Sequence, residues 1–180
     1  MIILHKNVAG ASEGSLNTFT TKAKRAAGLR GSVSVLITNS RELRLLNRQF
    51  RGQDKPTDVL SFPSEVVGVH RFIGDVAISV EIAAQNAKRL GHSTADEVKI
   101  LILHGLLHLA GYDHEIDQGE MARTEERLRN SLGLPVGLIA RTTAREKHSK
   151  RRSSGRRPQT LRKTVAVGRG RSRLAARRSR

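Results

Sequence analysis

Along the chain, the spacing of apolar residues switches between every second and every third or fourth position, and each switch marks an element. SVSVLIT, Ser32 to Thr38, alternates and is β-branched, which predicts a strand. MIILHK at the N-terminus, VLSFP closed by Pro63, and FIGDVAIS supply three more. Leu16 to Ala27 reads as a helix. Asn39 or Ser40 caps another that runs to about Phe50, with Leu43, Leu46 and Phe50 at helical spacing, and RGQDKPTD is a turn. Ser79 caps a third helix, with Glu81 in its first turn, that stops at Gly91. A fourth starts at Ser93 or Thr94, where Glu97 follows Thr94 as in a capping box, and runs through Leu109 to end at Gly111. A last helix spans about Gln118 to Leu132 and ends at Gly133, with Pro135 beyond. The sum is an α+β domain, a mixed sheet of about four strands with about five helices, without internal repeats.

Composition narrows this picture. Aromatics make up 3% of the 180 residues, so the core is aliphatic, and the absence of cysteine excludes disulfides, a thiolate nucleophile and a Cys-based zinc site. The apolar run Met1 to Leu4 is too short for a signal-peptide core. The stretch Ile100 to Ala110 is broken by His104, Gly105 and His108 and falls short of the roughly 20 apolar residues of a membrane span. A cytoplasmic protein without a membrane partner is expected. The formal charge of +17 is uneven: residues 141–180 hold 16 of the 33 Lys and Arg and one acid, Glu146, leaving a net of +2 on residues 1–140. The expected organisation is a folded domain over 1–140 and a basic tail over 141–180, disordered because it cannot bury enough surface to offset its ordering entropy.

Within the fourth helix the stretch HGLLHLAGYDH, 104–114, concentrates three of the chain's 7 histidines. Residues four apart share a helix face, so His104 and His108 can hold one ion. Gly111 tolerates the positive φ that lets the chain turn back and bring His114 to the same ion. Three imidazoles suit zinc with a fourth position left for water, and such an open site lowers that water's pKa to about 7. The alternative is histidines packed in a leucine-rich core. The spacing is also that of the metal helix of metzincin proteases, but Gly105 stands where their general base, a glutamate, belongs. Asp113 and Glu115 are nearby substitutes for a proton acceptor. Asp113 can instead orient an imidazole, and Glu115 reads more simply as a solvated acid.

These residues bring out a resemblance. HGLLHLAGYDH at 104–114, RGQDKPTDVLSFP at 51–63 and GDVAIS at 74–79, in that order and separation, resemble the YbeY family of metal-dependent endoribonucleases of bacterial ribosomal RNA maturation. The likeness covers about residues 1–140 and says nothing of the tail. It implies one zinc ion held by His104, His108 and His114, and a catalytic role for Arg51. It further implies cleavage of single-stranded RNA in 16S rRNA 3′-end maturation and ribosome quality control, with ribosomal RNA and the ribosome as partners; whether a ribosomal protein or GTPase partner delivers the substrate is left open. By itself Arg51 reads as a surface charge. Beside a metal, its guanidinium can clamp a phosphate in bidentate fashion. Lys55 reads as a plain turn residue, and Asp54, Thr57 and Asp58 as residues that shape the turn. Asp75 either bonds a ligand histidine or satisfies backbone at a strand end.

Two further readings compete. One is a metalloprotease or other zinc hydrolase. The other is a non-catalytic ribosome-assembly factor whose zinc is structural. The tail fits RNA as a partner, since its charge releases counterions from phosphates, although it lacks interleaved aromatics for base stacking.

Overall fold

Nine elements follow one another in the order that the hydrophobic pattern predicts. They are β1 (Ile2–Leu4), α1 (Glu13–Ala26), β2 (Ser32–Thr38), α2 (Ser40–Arg51), β3 (Val59–Pro63), β4 (Phe72–Ser79), α3 (Val80–Leu90), α4 (Thr94–Leu109) and α5 (Glu120–Ser131). They are seen in a computed structural model that describes residues 1–64 and 72–135. The expected 141–180 tail and the domain boundary at residue 140 lie outside the described residues. Among the described residues no helix is long and apolar enough to cross a membrane.

The sheet has the order β1-β2-β4-β3. β1 pairs parallel with β2 and β2 parallel with β4, while β3 lies antiparallel on β4 at the edge. Because side chains alternate across a strand, the sheet has two distinct faces. Val33, Val35 and Ile37 of β2 and Val76 and Ile78 of β4 point to the larger core, which includes Leu16 of α1 and the apolar residues of α4. The intervening residues Leu36, Leu60, Phe62 and Ala77 form a smaller cluster with Leu43 and Leu46 of α2 on the other face. Among the described residues, α2 is the helix that packs on this second cluster.

α4 is apolar nearly all round, and every residue from Ile100 to Leu107 is buried. That is the pattern of a central helix rather than a surface one. Its N-terminus differs from the expected capping box. Ser93 caps it by accepting the Asp96 N–H at 3.0 Å, and Glu97 instead turns into the core to meet His92 Nε2 at 2.7 Å. α1 begins three residues before its predicted start, because Ser12 and Ser15 form a reciprocal capping box around an inconspicuous Glu13–Gly14 first turn.

Where α4 crosses the sheet, Gly105 answers why no glutamate follows His104. A Cβ there would lie 2.6 Å from Val76 Cγ1 and 3.1 Å from Ser61 Oγ. The Ser61 hydroxyl donates to the Gly105 carbonyl at 3.3 Å, so the helix backbone sits directly on β3 and β4. Val76 is fully buried and has nowhere to retreat. Gly105→Ala is accordingly expected to destabilise the fold by about 1–3 kcal/mol of overpacking, although alanine's helix propensity returns roughly 1 kcal/mol of that. Urea unfolding measures it, and an unchanged or raised midpoint would refute the close approach.

Candidate metal centre

Two of the three histidines leave α4 on adjacent turns, and the third returns from the loop that follows. His104 is 6% exposed, and His108 lies at the half-buried C-terminal turn. Gly111 takes φ +92°, the left-handed conformation needed to reverse the chain, while the Tyr112 N–H still donates back to the Leu107 carbonyl at 3.1 Å. The returning loop is fixed by two aspartates. Asp113 Oδ1 accepts the Glu115 N–H at 3.0 Å. Asp117 accepts the N–H groups of Gly119 and Met121, each at 2.7 Å, which hold its carboxyl below the usual carboxylate range. Those bonds tie the loop to the start of α5 and set the position of His114.

The three imidazoles converge. Ring centroids of His104 and His108 are 4.8 Å apart, and each is 5.3 Å from that of His114. One nitrogen from each ring can be chosen so that all three lie within 4.8 Å of one another, an arrangement that could hold a metal ion. The Nε2 atoms of His104 and His108 are 3.2 Å apart. Two nitrogens each about 2.0–2.1 Å from a tetrahedral ion would be separated by roughly 3.3 Å. His114 Nδ1 is buried and has no hydrogen-bond partner, so no protein hydrogen bond at that atom ties the ring within the cluster. Burial, reinforced by the neighbouring His104 and His114, pushes the His108 pKa down to about 4, which keeps its lone pair available at neutral pH. Donor chemistry, spacing and protonation state thus all fit a divalent transition metal.

A residue that the sequence reading passed over supports this arrangement. Glu125 of α5 is buried and accepts from His104 Nδ1 at 3.0 Å. That contact engages Nδ1 and leaves Nε2, which lies 3.2 Å from His108 Nε2, to face the site. Neither Asp113 nor Asp75 orients a ligand imidazole through a hydrogen bond: the Asp113 carboxylate serves the loop backbone, and Asp75 lines a different cavity. Glu125→Gln is expected to weaken zinc binding about 10- to 100-fold, read by titration against a chelating dye. Wild-type affinity in the variant would mean that the contact does not tune the ligand.

The histidines open into a cleft of about 470 Å³ whose wall includes Arg51. The sequence reading puts Arg51 in a turn. It is instead the last residue of α2, since the helix continues until Gly52 closes it in the left-handed conformation, φ +66°. The turn beyond is braced as expected. Asp54 receives Arg44 Nε and Nη2 at 2.7 and 3.0 Å, Asn47 donates to the Lys55 carbonyl at 2.9 Å, and Asn86 donates to Asp58 at 3.3 Å. Lys55 does not line the histidine cleft. It lies on a neighbouring polar cavity shared with Arg51 and Glu115. Glu115 is exposed at the cleft and Asp113 half-buried beside it.

Comparisons with known proteins agree with this picture. The family model for endoribonuclease YbeY matches residues 3–133. The chain is 57% identical over 152 residues to the endoribonuclease YbeY of Koribacter versatilis, covering 84% of this chain and 98% of that protein. It is 46% identical over 127 residues to that of Solibacter usitatus, covering 71% and 84%. Its fold is similar to the solution structure of TM1509 from Thermotoga maritima, with a TM-score of 0.50 at 25% identity, covering 89% of this chain and all of that one. With a family model matched over most of its length and a fold and histidine cluster that accord with it, the chain belongs to the YbeY endoribonuclease family.

Proposed function

We propose that the protein is a zinc-dependent endoribonuclease that cuts single-stranded ribosomal RNA in the cytoplasm, acting in 16S rRNA 3′-end maturation and ribosome quality control. The observation that carries the chemical part is the convergence of three imidazoles in a cleft that also has Arg51 on its wall. The cellular part rests on family likeness.

The mechanism assigns a task to each side chain. His104, His108 and His114 would hold the ion, and Glu125 would steady the His104 ring through Nδ1. A bound divalent ion would supply Lewis acidity towards a phosphoryl oxygen and lower the pKa of an attacking water. Arg51 donates to the phosphate's non-bridging oxygens and offsets the negative charge that grows there. Gly105 offers no side chain to take a proton, so deprotonation would rest on the ion itself or on a nearby group such as Asp113, which lines the cleft. Attack by the RNA's own 2′-hydroxyl uses the same residues and leaves a 2′,3′-cyclic phosphate.

The test is to incubate the full-length, zinc-loaded protein with ribosomal RNA and, separately, with casein. The expected result is RNA cleavage that stops on chelation, and intact casein. Casein cleavage that disappears in His114→Ala would favour a peptidase. The close contact of Gly105 with Val76 argues against that outcome, because it excludes a glutamate at the position where peptidases of this spacing carry their base.

A further inference from the structure

We propose that the apolar cavity on the α2 side of the sheet is a nucleobase subsite, in which Phe50 stacks a base of the RNA next to the phosphate held by Arg51. The inference rests on the endoribonuclease reading and adds a recognition element to it.

The cavity measures about 780 Å³, within the roughly 300–1,000 Å³ typical of small-ligand sites. Its walls include Leu36, Leu46, Phe50 and Phe62, with the exposed carboxylate of Asp75 as an acceptor. The chain has only four Phe. Two of them meet here edge to face, with centroids 5.1 Å apart and planes at 64°. Phe50 remains 59% exposed, so packing of the core does not explain it. An aromatic face over an apolar floor, with a polar acceptor to orient the ligand, is how proteins receive an unstacked base.

Continuity with the histidine cleft identifies the occupant. Arg51 and Ser61 line both cavities. Phe50 and Arg51 are consecutive at the end of α2, and consecutive helical residues diverge by about 100°. Neighbouring side chains on one helix end thus serve the two ends of one nucleotide, a flat base and an anionic phosphate. A duplex keeps its bases stacked and cannot use such a slot, so the subsite selects single strands.

The test is a binding cycle on full-length protein in the His114→Ala background, which spares the RNA, at a salt concentration that screens the basic tail. Phe50→Ala is expected to weaken binding of a single-stranded oligonucleotide about tenfold, the loss of one stacked base. Deleting the base at one position of the oligonucleotide should weaken the parent by a similar factor and Phe50→Ala no further. Phe50→Trp should bind as the parent does, and duplex RNA should not distinguish Phe50→Ala from it. Unchanged binding in Phe50→Ala, or a loss that adds to base removal at every position, would overturn the subsite and leave the cavity to a protein segment. RNA cleavage by the wild type is scored separately: its absence defeats the enzymatic reading, whereas additivity with cleavage intact defeats only the subsite.

Discussion

His114→Ala is expected to yield a folded protein that binds zinc at least about 100-fold more weakly and no longer cleaves RNA, as removing a ligand should exceed the effect of removing a residue behind one. The loop carrying His114 is held by Asp113 and Asp117 through backbone contacts that the substitution leaves in place. The imidazole itself has a buried nitrogen without a protein partner. Removing it therefore deletes a ligand without deleting a structural hydrogen bond. Circular dichroism and urea unfolding of the metal-free variant should match those of the metal-free parent. If the variant, or His108→Ala, fails to fold even without metal in either protein, the histidines serve structure and the assembly-factor reading gains.

Arg51→Ala is expected to slow RNA cleavage about 10²- to 10³-fold while leaving zinc content unchanged, the size of effect found when one preorganised donor to a developing anion is lost. Arg51 is exposed at the end of α2 and is not one of the clustered ligands. Its loss should leave both fold and metal intact. Arg51→Lys should recover only part of the rate, because an ammonium keeps the charge but not the planar fork that grips two oxygens. Wild-type turnover in Arg51→Ala would remove the guanidinium from the chemistry. A parallel loss of zinc would show that it acts through the site's geometry.

Much of this was legible because local patterns and tertiary demands agreed. SVSVLIT alternates in sequence, and Val33, Val35 and Ile37 are buried on one face as that alternation requires. The i, i+4 pair His104 and His108 fixes a shared helix face without reference to anything else, and Gly111 foretells the reversal that brings His114 in. What the sequence did not announce came from contacts between distant elements. Glu125 lies 21 residues from its partner His104, and no spacing rule links them. A signal did exist: Met121, Glu125 and Leu128 recur at helical spacing, so Glu125 is a lone acid on the apolar stripe of α5. A buried acid of that kind needs a partner, and an imidazole was available. Glu97 misled for the same reason. Its place three residues after Thr94 satisfies a local rule, but its burial beside His92 decides the matter. Gly105 was conspicuous only by what it replaced, and its cause, the Val76 and Ser61 side chains pressed against α4, belongs to the packing of the helix on the sheet.

The most direct test is the metal stoichiometry of full-length protein after equilibrium dialysis against zinc, measured beside His114→Ala. The account predicts one ion per chain in the parent and loss of that ion in the variant at the same free zinc. No bound ion in the parent, or an undiminished one in the variant, would contradict it.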